Sequence, residues 1–324
     1  MTTIDTATIF DPVAADLPLV EAVMQQVAQV EFEWLAVLVR HVLGQPGKRL
    51  RPAVTLLAGK LYDYNLPQLV PMAASVELLH TATLIHDDTL DKAALRRGLS
   101  TVHTVWDANT AVLFGDYLFA TSAEMVARTA HVRAMRQFAE TLGIICSGEL
   151  SQHFRAFDWR VSEAEYYQRI GRKTASLFAL ASESGAYLSG APEAHVQALH
   201  DYGYKLGMAF QIADDILDIS ADEQTLGKPA GGDLVQGTVT LPAIRFIEAN
   251  GPDNPVSVFL DGGRRREDLP PVLDALRASS AMDAAMAVAR CYVDDALVSL
   301  RGLPAGPALD ALHALAEFSL ERKA

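Results

Sequence analysis

The sequence is short of basic residues. Lys and Arg number 27 against 40 Asp and Glu, which gives a formal net charge of −13 over 324 residues. A nonspecific nucleic-acid surface must neutralise phosphates with Lys and Arg, so this balance argues against nucleic-acid binding. It leaves room for a small basic pocket that takes an anionic substrate.

Cysteine is almost absent, and so are long apolar runs. The two cysteines, Cys146 and Cys291, provide neither a disulfide framework nor the spacing of metal ligands. No uninterrupted run of 18 or more apolar residues occurs, so no transmembrane segment is predicted. The N-terminus has no apolar core of a secretory signal, and the expected location is therefore the reducing cytoplasm.

Strand-like alternation is nearly absent, and helical periodicity takes its place. Apolar residues recur at steps of three and four from Val20 to Val42, which predicts one continuous helix there. Gly/Pro clusters separate the periodic segments, and the polar, Pro/Gly-rich residues 250–271 are predicted to be a surface loop. The sequence therefore predicts an all-α fold of roughly ten or more helices, as one domain over residues 1–324.

Two acidic clusters share one spacing. Each has aspartates at positions i, i+1 and i+4: Asp87, Asp88 and Asp91 in HDDTLD, and Asp214, Asp215 and Asp218 in ADDILD. On a helix, the residues at i and i+4 lie on the same face, one turn apart. One such trio is commonly a solvated helix face. Two identical trios among apolar neighbours favour a shared ligand that relieves the repulsion between the carboxylates.

A divalent cation is the ligand that fits two such clusters. Magnesium prefers oxygen ligands and typically takes one or two carboxylates together with water and substrate phosphates. Two facing clusters could therefore hold magnesium around a diphosphate. An EF-hand is excluded, because neither cluster forms a D-x-D-x-D-G loop that ends in a glutamate at the twelfth position.

Basic residues accompany both acidic clusters. They are Lys48 and Arg51 in GKRLRP, Arg96 and Arg97 after the first trio, and Lys228 in LGKPAGGD. Arginine matches phosphate oxygens with two parallel hydrogen bonds, and lysine supplies a point charge. These cations fit two anionic groups, one chelated through metal and one held directly, although each residue alone is also typical of an ordinary surface.

Four polar residues share these helix faces or interrupt apolar runs. His80 precedes Asp87 by two helical turns, and Gln211 precedes Asp214 by three residues. Lys173 and Thr174 form a polar pair within the small and apolar run GRKTASLFALAS. A lone histidine on a helix is often structural, so both a structural role and an anion contact stay open for His80.

Together these residues resemble the trans-isoprenyl diphosphate synthase (polyprenyl synthetase) family, of the long-chain type. The matching stretches, in the family's order, are GKRLRP, HDDTLDKAALRRG, GRKTASL, GMAFQIADDILD, LGKPAGGDL and GTVTLP. They span residues 47–242, and the last part of the chain agrees only in its helical character. The resemblance implies a helical bundle around a central cavity. It also implies an enzyme that adds isopentenyl diphosphate to an allylic diphosphate primer.

The resemblance also assigns roles to residues. Two to three magnesium ions would be held by the two aspartate trios, Asp87, Asp88, Asp91 and Asp214, Asp215, Asp218. The allylic diphosphate would be gripped by Arg96, Lys173 and Lys228. Isopentenyl diphosphate would be bound by Lys48, Arg51, His80 and Arg97. Thr174 and Gln211 would face the carbon at which the bond breaks.

The sequence departs from the family at one position and leaves its product and partners open. Thr238 stands where many members have a lysine, which removes one phosphate contact. Ala82 and Thr83, five and four residues before Asp87, are small, and in the family a small residue at the fifth position goes with longer products. We therefore expect a heptaprenyl to decaprenyl product, as used for quinone side chains. The resemblance also implies a homodimer.

Other interpretations stay open at this point. Ala82 is also a plausible packing alanine, in which case the product would be geranylgeranyl diphosphate. A noncatalytic subunit of a heteromeric synthase would keep the fold but usually lose part of the aspartate motifs, and both are complete here. A terpene cyclase would usually carry an N-D-x-x-S-x-x-x-E site, which the sequence lacks.

Overall fold

The computed structural model describes residues 9–29, 32–45, 47–96, 98–220, 230–262 and 265–320, and these are almost entirely helical. The first helices are α1 (Leu17–Gln26), α2 (Glu33–Leu43), α3 (Leu50–Lys60), α4 (Leu66–Leu90), α5 (Val102–Val105), α6 (Ala108–Ala127), α7 (Val132–Phe154) and α8 (Glu163–Ile170). They are followed by α9 (Ser176–Leu188), α10 (Glu193–Ser220), α11 (Gly232–Val235), α12 (Leu241–Asn250), α13 (Pro255–Asp261), α14 (Pro270–Arg277), α15 (Ala281–Ser299) and α16 (Pro307–Phe318).

Three short helical turns and one two-stranded hairpin complete the described part of the chain. A π-helical turn covers Gly171–Ala175, between α8 and α9, and 3-10 turns cover Asp11–Val13 and Arg266–Asp268. Strands β1 (Leu95–Arg96) and β2 (Leu99–Ser100) form an antiparallel hairpin with Leu95 opposite Ser100. The predicted all-α fold with more than ten helices is confirmed.

The centre of the molecule is formed by helices that are apolar on nearly every face. Helix α4 packs against α6, α3 and α9, and α9 packs in turn against α10. Such helices cannot present a polar side to water, so they are buried by their neighbours. Helix α4 is also long and apolar enough to cross a membrane by length and composition, but 72% of its most apolar window is buried inside the protein. Its composition is that of a core helix.

Helix α10 joins two clusters of buried apolar residues. Its first half contributes Val196, Leu199 and Leu206 to the cluster that surrounds α3, α4, α6 and α9. Its second half contributes Ile212 and Ile216 to the cluster built from α12, α13, α14 and α15. The second aspartate trio is therefore carried on a helix that is fixed from both sides.

The N-terminal prediction of one helix across Val20–Val42 was wrong. The structure has two helices, α1 and α2, and Phe32 before α2 has an extended backbone with φ −103° and ψ 116°. Trp34, which lay on the predicted apolar stripe, is 64% exposed. A stripe of apolar residues at steps of three and four continues across a short break, so periodicity alone did not reveal the turn.

The prediction of a loop over residues 250–271 was also wrong in part, because it contains helix α13. Asn254 caps this helix: its side-chain oxygen accepts hydrogen bonds from the backbone N–H groups of Val256 (2.9 Å) and Ser257 (3.2 Å). Pro255 occupies the first turn, where its missing N–H costs nothing. Asn254 and Pro255, which were interpreted as loop residues, form the start signal of this helix.

We expect Gly185 to be required where α9 crosses α3. A Cβ atom at Gly185 would collide with the backbone carbonyl oxygen of Thr55 and lie 3.0 Å from Ala58 Cβ. Gly185→Ala should therefore lower the free energy of unfolding by about 1–3 kcal/mol, as overpacking does. Chemical denaturation measures this.

Gly143, on α7, is the matched control. Nothing lies within 4 Å of a Cβ atom added there, so Gly143→Ala should raise stability by about 0.5–1 kcal/mol through helix propensity. Equal shifts for both variants would contradict the close approach of α9 and α3.

Candidate active site

The residues singled out in the sequence converge on one cavity. It has a volume of about 690 Å³ and lies between α3, α4, α7, α10 and the π-helical turn. Ten of the predicted residues line it: Lys48, Arg51, His80, Thr83, Asp87, Arg96, Lys173, Thr174, Gln211 and Asp214. Each aspartate trio contributes its first residue to the cavity, Asp87 from α4 and Asp214 from α10.

In the first trio, Asp87 and Asp88 have different partners. Asp87 Oδ2 lies 3.0 Å from Lys173 Nζ. Asp88 is buried and accepts two parallel hydrogen bonds from Arg96, from Nε at 2.7 Å and from Nη2 at 2.6 Å. Asp91 lies exposed at the end of α4. Asp87 is therefore the member of this trio that lines the cavity, and Asp88 anchors the β1 arginine behind it.

In the second trio, Asp214 lines the cavity while Asp215 and Asp218 are buried. Asp215 accepts hydrogen bonds from Tyr166 Oη (2.7 Å) and Gln211 Nε2 (2.8 Å). Burial raises the pKa of Asp215 to about 6, although these two donors act in the opposite direction. Asp218 Oδ2 accepts from the backbone N–H of Asp233 at 3.2 Å, which ties α11 to the end of α10.

A chain of hydrogen bonds links this trio to the π-helical turn. Thr174 Oγ1 donates to Gln211 Oε1 at 2.6 Å, and Gln211 in turn donates to Asp215. Because the Thr174 proton is used in this way, the lone pairs of its oxygen are left for other partners. Thr174 and Gln211 both line the cavity.

The π-helical turn itself was not predicted. It inserts an extra residue into the helical path at Gly171–Ala175, and it carries both Lys173 and Thr174. Such widened turns are rare and occur frequently at functional sites. Here the turn allows consecutive residues to reach different helices, with Lys173 at Asp87 and Thr174 at Gln211. No composition signal in GRKTA distinguishes it from an ordinary helix.

Glu149, on α7, is a cavity residue that sequence reasoning missed. Its Oε1 atom lies 2.8 Å from Lys173 Nζ, so this ammonium bridges Glu149 and Asp87. Burial lowers the pKa of Lys173, but the two carboxylates outweigh it and raise that pKa. Lys173 is therefore a fixed positive charge. The contact crosses between helices, and no sequence spacing connects Glu149 with either trio.

The side of the cavity formed by α3 is basic. Arg51 is buried, and its guanidinium lies 4.4 Å from the ring centroid of Phe178. Lys48 Nζ lies 5.7 Å from the ring centroid of Phe318. Arg49 lies between them in the chain, with a left-handed φ of 47°, and pairs with Glu77 at 3.1 Å and with Glu21. All three cations line the cavity, but Arg49 is paired with two carboxylates of the protein.

Ala82 and Thr238 do not line this cavity. Ala82 is fully buried in the core cluster beside the cavity, and Thr83, its neighbour, lines the cavity. Thr238 lines a separate, smaller pocket. Arg97 and Lys228 lie outside the described residues, so their predicted phosphate contacts stay predictions.

The carboxylates suit magnesium only in combination with a phosphate-bearing ligand. Among the described residues, no three acidic, histidine or cysteine side chains converge closely enough to hold a metal ion by themselves. Asp87 and Asp214 do supply hard oxygen donors from opposite walls of one cavity. Magnesium commonly takes one or two carboxylates and completes its shell with water and substrate phosphates. The donor set therefore fits ions that bind together with a diphosphate.

A helical bundle that directs two acidic clusters and several cations into one cavity belongs to a class of proteins built to hold diphosphates. The family model described as Polyprenyl synthetase matches residues 32–268. A curated relative, heptaprenyl diphosphate synthase component 2 of Bacillus subtilis, is 37% identical over 308 residues, which are 95% of this chain and 88% of the relative.

Solved structures agree with this match. The polyprenyl synthase of Caulobacter crescentus, complexed with calcium and isoprenyl diphosphate, is 35% identical with a TM-score of 0.95, and 100% of each chain is covered. The decaprenyl diphosphate synthase of Rhodobacter capsulatus is 34% identical with a TM-score of 0.91, and 99% of this chain and 100% of that chain are covered.

The chain therefore belongs to the polyprenyl synthetase family of trans-isoprenyl diphosphate synthases. Its relatives are prenyl diphosphate synthases, so the chain is an enzyme that transfers prenyl groups. The family and the all-α fold expected from the sequence are both confirmed.

The hydrogen bond from Tyr166 should support the charged form of Asp215. Tyr166→Phe removes a donor to a buried carboxylate, which should cost about 1.5–3 kcal/mol of the free energy of unfolding where Asp215 is ionised. The loss of this donor favours protonation, so the cost should be larger at pH about 7.5 than at pH about 5, below the Asp215 pKa. Denaturation of metal-free protein at both pH values measures the difference.

Tyr202→Phe is the matched control. Tyr202 is equally buried, but its hydroxyl donates to the neutral carbonyl oxygen of Leu312 at 2.7 Å. Its removal should cost about 0.5–1.5 kcal/mol at either pH. If both variants had the same pH dependence, Tyr166 would not be supporting a carboxylate.

Proposed function

We propose that this chain adds isopentenyl diphosphate units head-to-tail to an allylic diphosphate and gives a long all-trans polyprenyl diphosphate. The observation that carries the proposal is the single cavity lined by Asp87, Asp214 and the cations of both predicted diphosphate sites. Two anionic substrates need two cationic subsites beside each other, and the cavity has cations on α3 and on the π-helical turn.

The allylic diphosphate would bind between the two trios. Asp87 and Asp214 would hold magnesium there, with Asp91 at the end of α4, and the bound metal would neutralise the negative charge of the leaving diphosphate. Asp88, Asp215 and Asp218, assigned to metal from the sequence, have partners that position α4, α10 and Arg96. We propose that they support the metal ligands from behind.

Arg96 and Lys173 would bind the diphosphate directly. Arg96 uses two of its five N–H donors on Asp88, which leaves others for phosphate oxygens. Lys173 is held by both Asp87 and Glu149. When Asp87 binds metal, Glu149 can keep the ammonium in place, so Lys173 contributes charge to the developing diphosphate as the C–O bond breaks.

Breaking the C–O bond leaves an allylic cation. This cation is stabilised by the negative ends of nearby dipoles and must be protected from water. Thr174 and Gln211 line the cavity and would supply oxygen dipoles, and their hydrogen bonds to each other and to Asp215 fix them before the reaction. Leu84, Ile145 and Phe210 supply apolar walls, which limit hydrolysis of the cation.

Isopentenyl diphosphate would bind on the α3 side, through Lys48, Arg51 and His80. Its double bond attacks the cation, and a proton is then lost from the condensed product. None of the described cavity residues is a free base suited to that proton, since Glu149 is engaged with Lys173. The released diphosphate is the acceptor that we propose.

We propose a heptaprenyl to decaprenyl product. Thr83 lines the cavity and is small, so the wall below Asp87 leaves room for a growing apolar chain. A heptaprenyl and a decaprenyl diphosphate synthase are among the relatives. Geranylgeranyl diphosphate is the alternative product, and it would require that the growing chain be blocked closer to the aspartate trios.

We propose that the enzyme works as a cytoplasmic homodimer. Helices α6 and α7 expose large apolar side chains, among them Leu113, Val132 and Phe154, which are 68%, 81% and 82% exposed. An apolar face of this kind commonly packs against a partner. A second copy of this chain is the simplest partner, and the name of the Bacillus relative, component 2, makes a different subunit the alternative.

The decisive experiment is the reaction itself. We expect the purified chain to convert radiolabelled isopentenyl diphosphate and farnesyl diphosphate to polyprenyl diphosphate, and a chelator should abolish turnover. Asp87→Asn and Asp214→Asn should each lower kcat about a hundredfold or more, because the charge that organises the leaving group is lost.

Asp294→Asn, at an exposed position on α15, is the control and should react like the unmodified protein. Sedimentation of the same preparation should give the mass of two chains. No product from this chain alone, with product only after a second subunit is added, would favour the noncatalytic-subunit alternative over our proposal.

Product length should depend on Thr83. Thr83→Phe places a bulky ring in the cavity wall and should shorten the product, as measured by chromatography after dephosphorylation. Thr83→Val keeps the size and loses only the hydroxyl, which donates to the His80 carbonyl oxygen at 2.7 Å, so its product should keep the original length. If product length were unchanged in both Thr83→Phe and Ala82→Phe, this wall of the cavity would not determine where elongation stops.

A further inference from the structure

A second, smaller cavity lies on the other side of the π-helical turn. It has a volume of about 80 Å³ and is bounded by the end of α7, by α8, by the turn and by residues 237–239. No residue lines both this cavity and the larger one. A cavity needs about 10–15 Å³ to hold one water molecule, so this one has room for a tetrahedral oxyanion.

The polar groups of this cavity are mostly cationic or hydroxyl. They are Arg155, Arg169, Arg172, Glu165, Ser151 and Thr238, together with two glutamines. The Glu165 carboxylate is already engaged by Arg155 and by the backbone N–H and hydroxyl of Ser162, both at 2.9 Å. The charge of Glu165 is therefore balanced inside the protein. Arg169 and Arg172 remain in the cavity, and Arg169 also attracts the buried carboxylate of Asp215.

Arg169 and Arg172 differ in how they are held. Arg169 Nη2 donates to the Val239 carbonyl oxygen at 2.7 Å, and the guanidinium lies 5.3 Å from the Tyr166 ring centroid. This fixes Arg169 while its other N–H groups stay available. Arg172 is half-buried, and no residue of the described chain forms a hydrogen bond or ion pair with its guanidinium.

The backbone leaves space for the Arg172 side chain. It packs against Gly148 of α7, where an added Cβ atom would lie 3.0 Å from Arg172 Cβ. A half-buried arginine without a protein partner forgoes charge-assisted hydrogen bonds that are worth more than neutral ones. Arginine forks match the oxygens of phosphate-type anions, and the hydroxyls of Ser151 and Thr238 can donate to the same anion.

We propose that this small cavity is an oxyanion site, separate from the reaction cavity, which binds inorganic phosphate through Arg172 and Arg169. Binding there needs neither magnesium nor a prenyl substrate. The site shares the π-helical turn with the reaction cavity, because Arg172 and Lys173 are consecutive and line opposite sides of it.

The test is binding of inorganic phosphate to the full chain without metal, measured by calorimetry. Arg172→Gln should weaken binding about tenfold or more, since one charge-assisted contact is lost. Thr238→Glu, on the opposite wall, should weaken it as well by placing a carboxylate beside the anion. Unchanged thermal midpoints show that both variants are folded.

Arg160→Gln is the matched control. Arg160 is exposed, lies outside the cavity and stacks 4.4 Å from the Trp159 ring centroid, so phosphate binding should be unchanged. Wild-type affinity in Arg172→Gln and Thr238→Glu, or no binding to the unmodified chain at millimolar phosphate, would overturn the proposal. Anomalous scattering from crystals soaked in arsenate would place the anion, and arsenate found only beside Lys48, Arg51 or Lys173 would equally overturn it.

Discussion

Electrostatic repulsion between carboxylates is the constraint on which the rest of this structure depends. Asp87, Asp214 and Glu149 line one cavity, and Asp88, Asp215 and Asp218 are buried close to it, where like charges repel more strongly than in water. The fold compensates in two ways. Asp88, Asp215 and Asp218 receive hydrogen bonds from the protein, whereas Asp87 and Asp214 keep a face toward the cavity. Because the protein neutralises only part of the negative charge of these carboxylates, the site retains affinity for cations from solution.

The same balance explains why lysine stands at position 173. Lys173 is attracted by Asp87 and Glu149, which raise its pKa and hold it charged in a half-buried position. Its reach depends on the widened π-helical turn, which sends Lys173 and Thr174 to different helices. The π-helical turn therefore places Lys173 where it forms ion pairs between helices and contributes positive charge to the cavity.

Much of this could be predicted from the sequence, and the limits have physical causes. The aspartate and cationic motifs led to ten residues that do line one cavity. His80, Thr83 and Asp87 lie three and four residues apart and share one face of α4. The i+4 members Asp91 and Asp218 do not line the cavity, because Asp91 follows the end of α4 and Asp218 is buried. Glu149 and Tyr166 were missed, since their contacts join helices that are distant in sequence. Helix α13 was missed for a different reason: its Asn254 cap and Pro255 were present in the sequence but were interpreted as loop residues.

The aspartates within each trio have different roles, although both trios have the same spacing. Identical spacing suggested that each aspartate would have the same role, but the helices offer different surroundings to the i and i+1 positions. The first residue of each trio, Asp87 or Asp214, points into the cavity, and the second, Asp88 or Asp215, is buried against a neighbouring element. Consecutive residues on a helix are about 100° apart, so they cannot face the same ligand equally. The adjacent pair therefore separates one carboxylate for the ligand from one that fixes the helix carrying it.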